Sequence, residues 1–179
     1  MQQSTAPQID LLPADALTLT ERAAIIALCE AALAEDFSQL FDLLPGTQHL
    51  LVRVDGRLVS HACWVDRQLQ AVDGPLMRTA YVEAVAVQPD RQRQGWGTLA
   101  MRHVAAAIGA YALGALLTHH PEFYMRLGWE QWRGPTALRT ATGLLPTPDK
   151  HPLILRTPRT PPLDLAALLT AEWRVNEPW

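Results

Sequence analysis

The apolar run Tyr81-Val-Glu-Ala-Val-Ala-Val-Gln88 has strand character and passes through Pro89-Asp-Arg-Gln-Arg-Gln-Gly95-Trp-Gly97 into an amphipathic stretch of helical period. A strand that enters a glycine-punctuated turn and leaves it as a helix narrows the choice of fold more than any other part of the chain. Glycine lets backbone approach a ligand closely, and a helix start offers unpaired N–H groups and a positive dipole end to an anion. Two glycines after a strand are also the ordinary sequence of a tight turn, so neighbouring features must decide between the two readings. A dinucleotide-binding βαβ unit fits poorly. Ala100 stands at its third small-residue position, but the strand follows hairpin signals rather than opening the unit. A P-loop is excluded because no Gly-Lys-Ser/Thr follows and Lys150 is the sole lysine.

The rest of the chain supplies the hairpins and further helices. Ile9 to Leu12 reads as a short strand, and Thr18-Leu-Thr-Glu21 is a capping box for an Ala/Leu-rich helix running to about Glu35. A second short helix is expected over Ser38 to Leu44, stopped by Pro45-Gly46. His49 to Val54 and Arg57 to Asp66 are β-rich runs joined by the hairpin dipeptide Asp55-Gly56. A strand over Met77 to Gln88 follows, with Tyr81, Glu83, Val85 and Val87 on one face by period-2 alternation. The glycine turn then gives a helix from about Gly95 to Ala110 and a strand over Leu113 to Thr118, a crossover that is right-handed by default. Pro121 opens a short helix to Leu127 that Gly128 closes. Beyond it the chain is rich in Pro, Thr and Gly until a strand candidate at Leu153 to Leu155.

At 179 residues, 49% hydrophobic and 18% charged, the chain suits one globular domain with a sizeable core. A net charge of −3 with no basic run disfavours nucleic acid and anionic membrane surfaces and favours a cationic partner. No apolar run reaches the ~20 residues a membrane span needs, and the N-terminus lacks the pattern of a secretory signal, so a cytoplasmic protein is expected. Cys29 and Cys63 have no metal-ligand spacing and read as buried, reduced thiols.

Glu83 is the first candidate for chemistry. A carboxylate among apolar residues of a central strand is costly unless paired or used, and desolvation raises its pKa toward that of a general base for an ammonium substrate. A solvent-facing place at a sheet edge is the alternative. Tyr124, in Glu122-Phe-Tyr-Met-Arg-Leu-Gly-Trp129, offers a phenol that could protonate a leaving thiolate or simply pack on the core. His119-His120 suggests a metal pair, but neighbouring side chains at a strand end diverge and no third ligand is close in sequence, so loop residues are the better reading. Most of the 6 tryptophans read as packing, with Trp96 partly exposed at the glycine turn.

Gln92-x-x-Gly95-x-Gly97 resembles the pyrophosphate-binding signature of the GCN5-related N-acetyltransferases (GNAT). From about residue 49 onward the chain resembles, within that superfamily, the aminoglycoside 2'-N-acetyltransferases. The matching segments occur in the same order: Tyr81 to Val87, Gly109-Ala-Tyr-Ala-Leu-Gly-Ala115, Leu127-Gly-Trp129, Trp132-Arg-Gly-Pro-Thr136 and the terminal Glu172-Trp-Arg to Trp179. The resemblance implies an α/β (α+β) GNAT fold in one domain, 1–179, with a mixed, mostly antiparallel sheet and helices on both faces. The tail 172–179 is implied to fold back to the active site. It also implies acetyl-coenzyme A as the acyl donor, coenzyme A as product, an aminoglycoside as acceptor and a homodimer.

Carried over residue by residue, the backbone of Val85, Ala86 and Val87 and of Gln92, Arg93, Gln94, Gly95, Trp96, Gly97 and Thr98 holds the cofactor. Glu83, Tyr124 and the α-carboxylate of Trp179 are the catalytic groups. Glu83 and Ala84 border the acceptor amine, and Asp36, Asp42, Asp149, Glu177 and Trp179 form an acidic pocket for a polycationic sugar. No metal is implied. Three residues depart from the resembled pattern: Gln92 replaces an arginine, Ala84 a glycine and Lys150 an acidic neighbour of Asp149. Two other readings keep the cofactor: a GNAT enzyme acting on another amine (a polyamine, a cell-wall amino sugar or a protein N-terminus), and a regulator that binds acetyl-coenzyme A without turning it over.

Overall fold

A computed structural model describes residues 6–175 and 179. The chain falls into two compact units, Met1–Val65 with Val82–Val104, and Asp66–Tyr81 with Ala105–Trp179.

The first unit opens with β1 (Gln8–Pro13), which pairs antiparallel with β2 (Gln48–Val54). Between them lies α1 (Leu19–Leu33), whose start is fixed by the expected capping box: Thr18 Oγ1 accepts from the Glu21 amide, and Glu21 accepts from the Thr18 amide at 2.9 Å. Ile25, Leu28 and Cys29, at helical spacing, are its buried stripe. The second helix, α2 (Leu40–Leu43), is shorter than the Ser38 to Leu44 expected. Ser38 donates its amide to Asp36 Oδ1 at 2.8 Å, a local turn that competes with a helical start. Asp55 and Gly56 both have positive φ, 50° and 76°, as a two-residue hairpin of primed type requires. They turn β2 into β3 (Arg57–Ala71), with a register shift at Val52/Arg53. β3 exceeds the expected Arg57 to Asp66 because Arg67-Gln-Leu-Gln-Ala71, polar in composition, still alternates buried and exposed positions.

β4 (Met77–Val87) runs through the 3-10 turn Pro89–Arg91 and the glycine segment into α3 (Trp96–Ala107), which buries Ala100, Met101 and Val104 and gives way to a 3-10 turn, Ile108–Ala110, earlier than the α-helix expected to Ala110.

In the second unit β4 lies parallel to β5 (Leu113–Leu116), Thr79–Tyr81 against Leu113–Ala115, as a strand-helix-strand crossover requires. Strand order there is β6 (Glu130–Gln131), β9 (Leu153–Arg156), β5, β4, β3, β10 (Leu169–Glu172), β7 (Thr136–Thr140), β8 (Gly143–Pro146). β10 and β7 are parallel, and the β5–β9 and β7–β8 pairs are antiparallel. α4 (Pro121–Met125) stops short of the Leu127 expected: its cap is Arg126, in the right-handed region, and Gly128, at φ 91°, turns the chain two residues later. The segment Trp132 to Thr136 docks on 165–167: Trp132 Nε1 donates to the Ala167 carbonyl at 2.8 Å, and the Arg133 and Gly134 amides donate to Leu165. A Cβ at Gly134 would lie 2.0 Å from the Ala167 carbonyl oxygen, so only glycine permits this approach. The fold is the mixed α+β architecture expected from the sequence. No helix among the described residues is long and apolar enough to cross a membrane.

Candidate active site

Ala84 breaks the alternation of β4. Its φ is +49°, in the left-handed region that a residue with a Cβ enters at a cost of roughly 1–2 kcal/mol. The left-handed residue interrupts the regular pleat as a bulge, so period-2 alternation does not carry from Tyr81 and Glu83 across it to Val85 and Val87. Buried side chains supply donors to the carbonyls around the bulge. His61 Nδ1 donates to Ala84 O at 2.9 Å, with Cys29 Sγ at 3.9 Å from the same oxygen. Cys63 Sγ donates to Glu83 O at 3.4 Å and Ser60 Oγ to Ala86 O at 3.0 Å. Both thiols stay protonated donors at neutral pH, since burial pushes Cys29 up to about 12 and, with the Glu83 charge beside it, raises Cys63 well above its ordinary value. Both are buried and unbonded to each other, as the sequence suggested. Glu83 is half-buried.

The glycine turn has the curvature of an anion cradle. Arg93 and Gly95 have φ of 59° and 91°, and alternating left-handed residues turn successive N–H groups toward one concave side. A Cβ at Gly95 would meet nothing within 4 Å, so the hollow above it is open. The first α-helical bond at this end runs from Leu99 N to Gly95 O at 2.9 Å, which leaves the amides of Trp96, Gly97 and Thr98 without helical acceptors. Trp96 Nε1 is buried and has no hydrogen-bond partner among the described residues. The turn is braced by Gln94 Nε2 to Asp90 O at 3.1 Å and by Arg57, which holds Asp90 through bonds of 2.9 and 3.2 Å. Gln92, in place of an arginine, bonds Val87 O at 3.4 Å and leaves the backbone cradle intact. These donors suit a diphosphate, and a buried indole N–H at the same turn suits an acceptor atom on a bound cofactor.

In the second unit, Tyr124 is buried, edge-on to Phe123 and Trp129 with centroids 4.8 and 6.0 Å away. Burial pushes its phenol up to about 12, so it carries its proton at neutral pH. Trp179 is 5% exposed, and its indole N–H donates to Thr147 Oγ1 at 2.9 Å. Thr147 Oγ1 in turn donates to Thr136 Oγ1 at 2.9 Å, and Thr136 Oγ1 donates to the carbonyls of Thr147 and Lys150 at 2.6 and 3.0 Å. The terminal residue is therefore anchored through its ring.

Asp36, Asp42 and Asp149 are exposed. The Ser38 amide holds the Asp36 carboxyl below its usual value. Glu177 lies outside the described residues. His119 and His120 are exposed loop residues. Sequence reasoning singled out the two cysteines only as packing, and it passed over Thr47, His49, Ser60, His61 and Thr147. The two histidines could have been flagged: each is a polar residue inside an apolar strand of the Asp55-Gly56 hairpin. Two hollows of about 240 and 160 Å³ lie beside Arg139 and Thr170 and beside Glu21 and Arg53, and none of the expected site residues lines either.

Comparison with known proteins gives this geometry a context. Residues 14–132 match the model of the acetyltransferase (GNAT) domain family. An aminoglycoside 2'-N-acetyltransferase of Mycolicibacterium fortuitum is 36% identical over 141 residues, covering 75% of this chain and 72% of that protein. Among solved structures, the GNAT family N-acetyltransferase YhbS from Escherichia coli, in complex with CoA, superposes with a TM-score of 0.60 at 14% identity, covering 97% of this chain and 94% of its own. Eis1 from Mycobacterium abscessus gives a TM-score of 0.61 at 19% identity over 73% of this chain; the match spans only about a third of Eis1, 32%.

Proposed function

This chain belongs to the GNAT acetyltransferase family, whose acyl donor is acetyl-coenzyme A, and from that premise we propose that it acetylates the 2'-amine of an aminoglycoside. The observation that carries the donor side is the left-handed turn at Arg93 and Gly95 feeding the free amides of α3, directly continuous with the bulged end of β4. The acceptor side is supported by the M. fortuitum relative and by the burial and anchoring of a terminal tryptophan.

Acetyl-coenzyme A supplies an activated acyl group as a thioester. The amides of Gln92 to Thr98 bind its diphosphate, and the backbone of Val85 to Val87 holds and polarises the acyl end. Glu83 takes the proton that the substrate ammonium must lose before it can act as a nucleophile, and the Trp179 α-carboxylate assists at the same nitrogen. Tyr124 holds a proton on its phenol for the departing sulfur. Asp36, Asp42, Asp149, Glu177 and the Trp179 carboxylate attract and orient a polycation, bordered by Ala84 at the acceptor amine. The reaction belongs in the cytoplasm, and the enzyme is assigned as a homodimer.

The test is thiol release from acetyl-coenzyme A with gentamicin-, tobramycin- and neomycin-type aminoglycosides, set against aminoglycosides bearing a 2'-hydroxyl. Turnover confined to the 2'-amines is expected. Turnover with other amines alone overturns the acceptor, and tight cofactor binding with no transfer to any amine favours a regulator.

A further inference from the structure

Three polar side chains on β2 and β3 or just before them form a buried line that ends at the strained bulge. His49 lies opposite Cys63, and His61 opposite Leu51, so His49, His61 and Cys63 share one face by period-2 alternation. Thr47 Oγ1 is 2.6 Å from His49 Nε2, His49 Nδ1 is 3.0 Å from His61 Nε2, and His61 Nδ1 is 2.9 Å from Ala84 O. All three residues are at most 1% exposed. The ligand atoms of His49, His61 and Cys63 lie within 4.8 Å of one another, the spacing of a metal site. Every ring nitrogen, however, is already engaged in a hydrogen bond, and this favours a relay over a ligand set.

The last acceptor fixes the direction of the relay. A carbonyl can only accept, so His61 carries its proton on Nδ1 and accepts at Nε2. His49 must then donate from Nδ1 and accept at Nε2, and Thr47 must donate. Both rings are neutral at physiological pH, because burial pulls His49 down to about 4 and His61 to about 3.

We propose that Thr47, His49 and His61 form a one-way hydrogen-bond relay that positions the Ala84 bulge for acyl transfer, with His61 as a positioning residue and Cys29 as its second donor. The inference rests on the assignment of Val85 to Val87 as the acyl-holding backbone. Nothing in the relay touches cofactor or amine. It sets where the peptide planes on either side of Ala84 point, and therefore the direction of the amide that polarises the thioester carbonyl. Left-handed alanine is a conformation that the surrounding structure must enforce, and a buried donor aimed at its carbonyl enforces it.

Two substitutions at one position separate positioning from packing. The amide nitrogen of His61→Asn occupies the place of Nδ1 and keeps the bond to Ala84 O, whereas His61→Gln reaches toward His49 and loses that bond. Expected is a severalfold lower kcat for His61→Asn, which keeps the bond to Ala84 O but loses the link to His49, and a fall of about tenfold to a hundredfold for His61→Gln. The amine KM should be unchanged in both, and the gain in affinity of acetyl-coenzyme A over coenzyme A, read by calorimetry, should be lost in His61→Gln alone. Equal behaviour of the two variants overturns the proposal.

Nitrogen-15 chemical shifts of the parent protein give a check that needs no variant: both rings should be neutral with the proton on Nδ1, and a proton on Nε2 of either ring overturns the relay. If neither variant folds, Thr47→Val tests the chain from its far end, with a severalfold lower kcat expected and an unchanged kcat counting against it. If the acceptor assignment fails instead, aminoglycosides give no turnover in the parent, while the shifts and the calorimetric difference still decide the relay.

Discussion

The glycine turn with the bulge before it, and the terminal tryptophan, are held in opposite ways. Around residues 83 to 98 the functional surface is backbone, and its conformation is over-determined. Carbonyls 83, 84 and 86 accept from four different buried side chains, and the turn is braced by glutamine and arginine contacts. Among the described residues, Trp179 is held by burial of one ring and one hydrogen bond to Thr147. Redundant support keeps the first region folded when one contact is lost, while the aim of the peptide planes at Ala84 still depends on His61, and it leaves the turn exposed to a change in allowed φ and ψ. A single anchor makes the second region sensitive to one deletion.

The largest effect should come from the conformational insult. Gly95→Val puts a β-branched residue at φ 91°, where space is open but backbone geometry is not. Strain of about 1–3 kcal/mol, with loss of the cradle's shape, should raise the Kd for coenzyme A by about a hundredfold, roughly 3 kcal/mol. Calorimetry that finds less than about a threefold change removes the turn from cofactor binding.

Deleting Trp179 should sharpen the contrast. The tail reading expects a kcat at least about tenfold lower, the scale of one lost proton-transfer group or less, with coenzyme A affinity untouched. Thr147→Val should reproduce part of that loss, because the indole N–H then has no acceptor, a penalty of about 1–3 kcal/mol for a buried donor. A truncated chain that turns over at full rate ends the catalytic role of the terminal carboxylate.

What could be read in advance follows the same division. Local, self-contained signals were legible: the Thr18/Glu21 capping box, the Asp55-Gly56 hairpin and the glycine turn each carry their own stereochemistry. The β7–β8 hairpin was not, because β8 is exposed along its whole length and Leu144 and Leu145 show no alternation to betray a strand. The ladder of β10 on β3 and β7 was also hidden, since a four-residue strand takes its identity from partners distant in sequence. Ala84 was legible only as a departure from a glycine. That it keeps a glycine's conformation is decided by donors arriving from α1 and β3, which no local pattern contains.

A smaller effect, on stability, probes those donors. His49 and His61 titrate well below the 6.5 of an unfolded histidine, so between about pH 6.5 and 4 the unfolded chain binds more protons. Stability is therefore fully present above pH 6.5 and declines as pH falls, by up to about 1.4 kcal/mol per pH unit for each ring. Carboxylates held low by partners, such as Glu21 and Asp66, act only below their own unfolded values of 4.5 and 3.8, so the upper part of the window reports the histidines. Melting temperature should drop between pH 6.5 and 5 in the parent and be flatter in a His49→Gln/His61→Asn double variant. An equal slope in both contradicts buried neutral rings.

The smallest effect has the sign least expected for a strand. Glycine in a strand interior usually costs stability, because it loses more backbone entropy and packs nothing. At Ala84 that cost, about 0.5–1 kcal/mol relative to alanine, is set against relief of the roughly 1–2 kcal/mol of left-handed strain. Ala84→Gly should be neutral or stabilising by up to about 1 kcal/mol, a rise in Tm of about 2–4 °C for a chain of this length. With the bulge relaxed, its geometry would depend less on His61, so Ala84→Gly combined with His61→Gln should recover part of the kcat lost in His61→Gln alone. A double variant as slow as the single one shows that the relay does more than hold a strained alanine in place, and a destabilised Ala84→Gly shows that the methyl group packs where the backbone argument gives it no role.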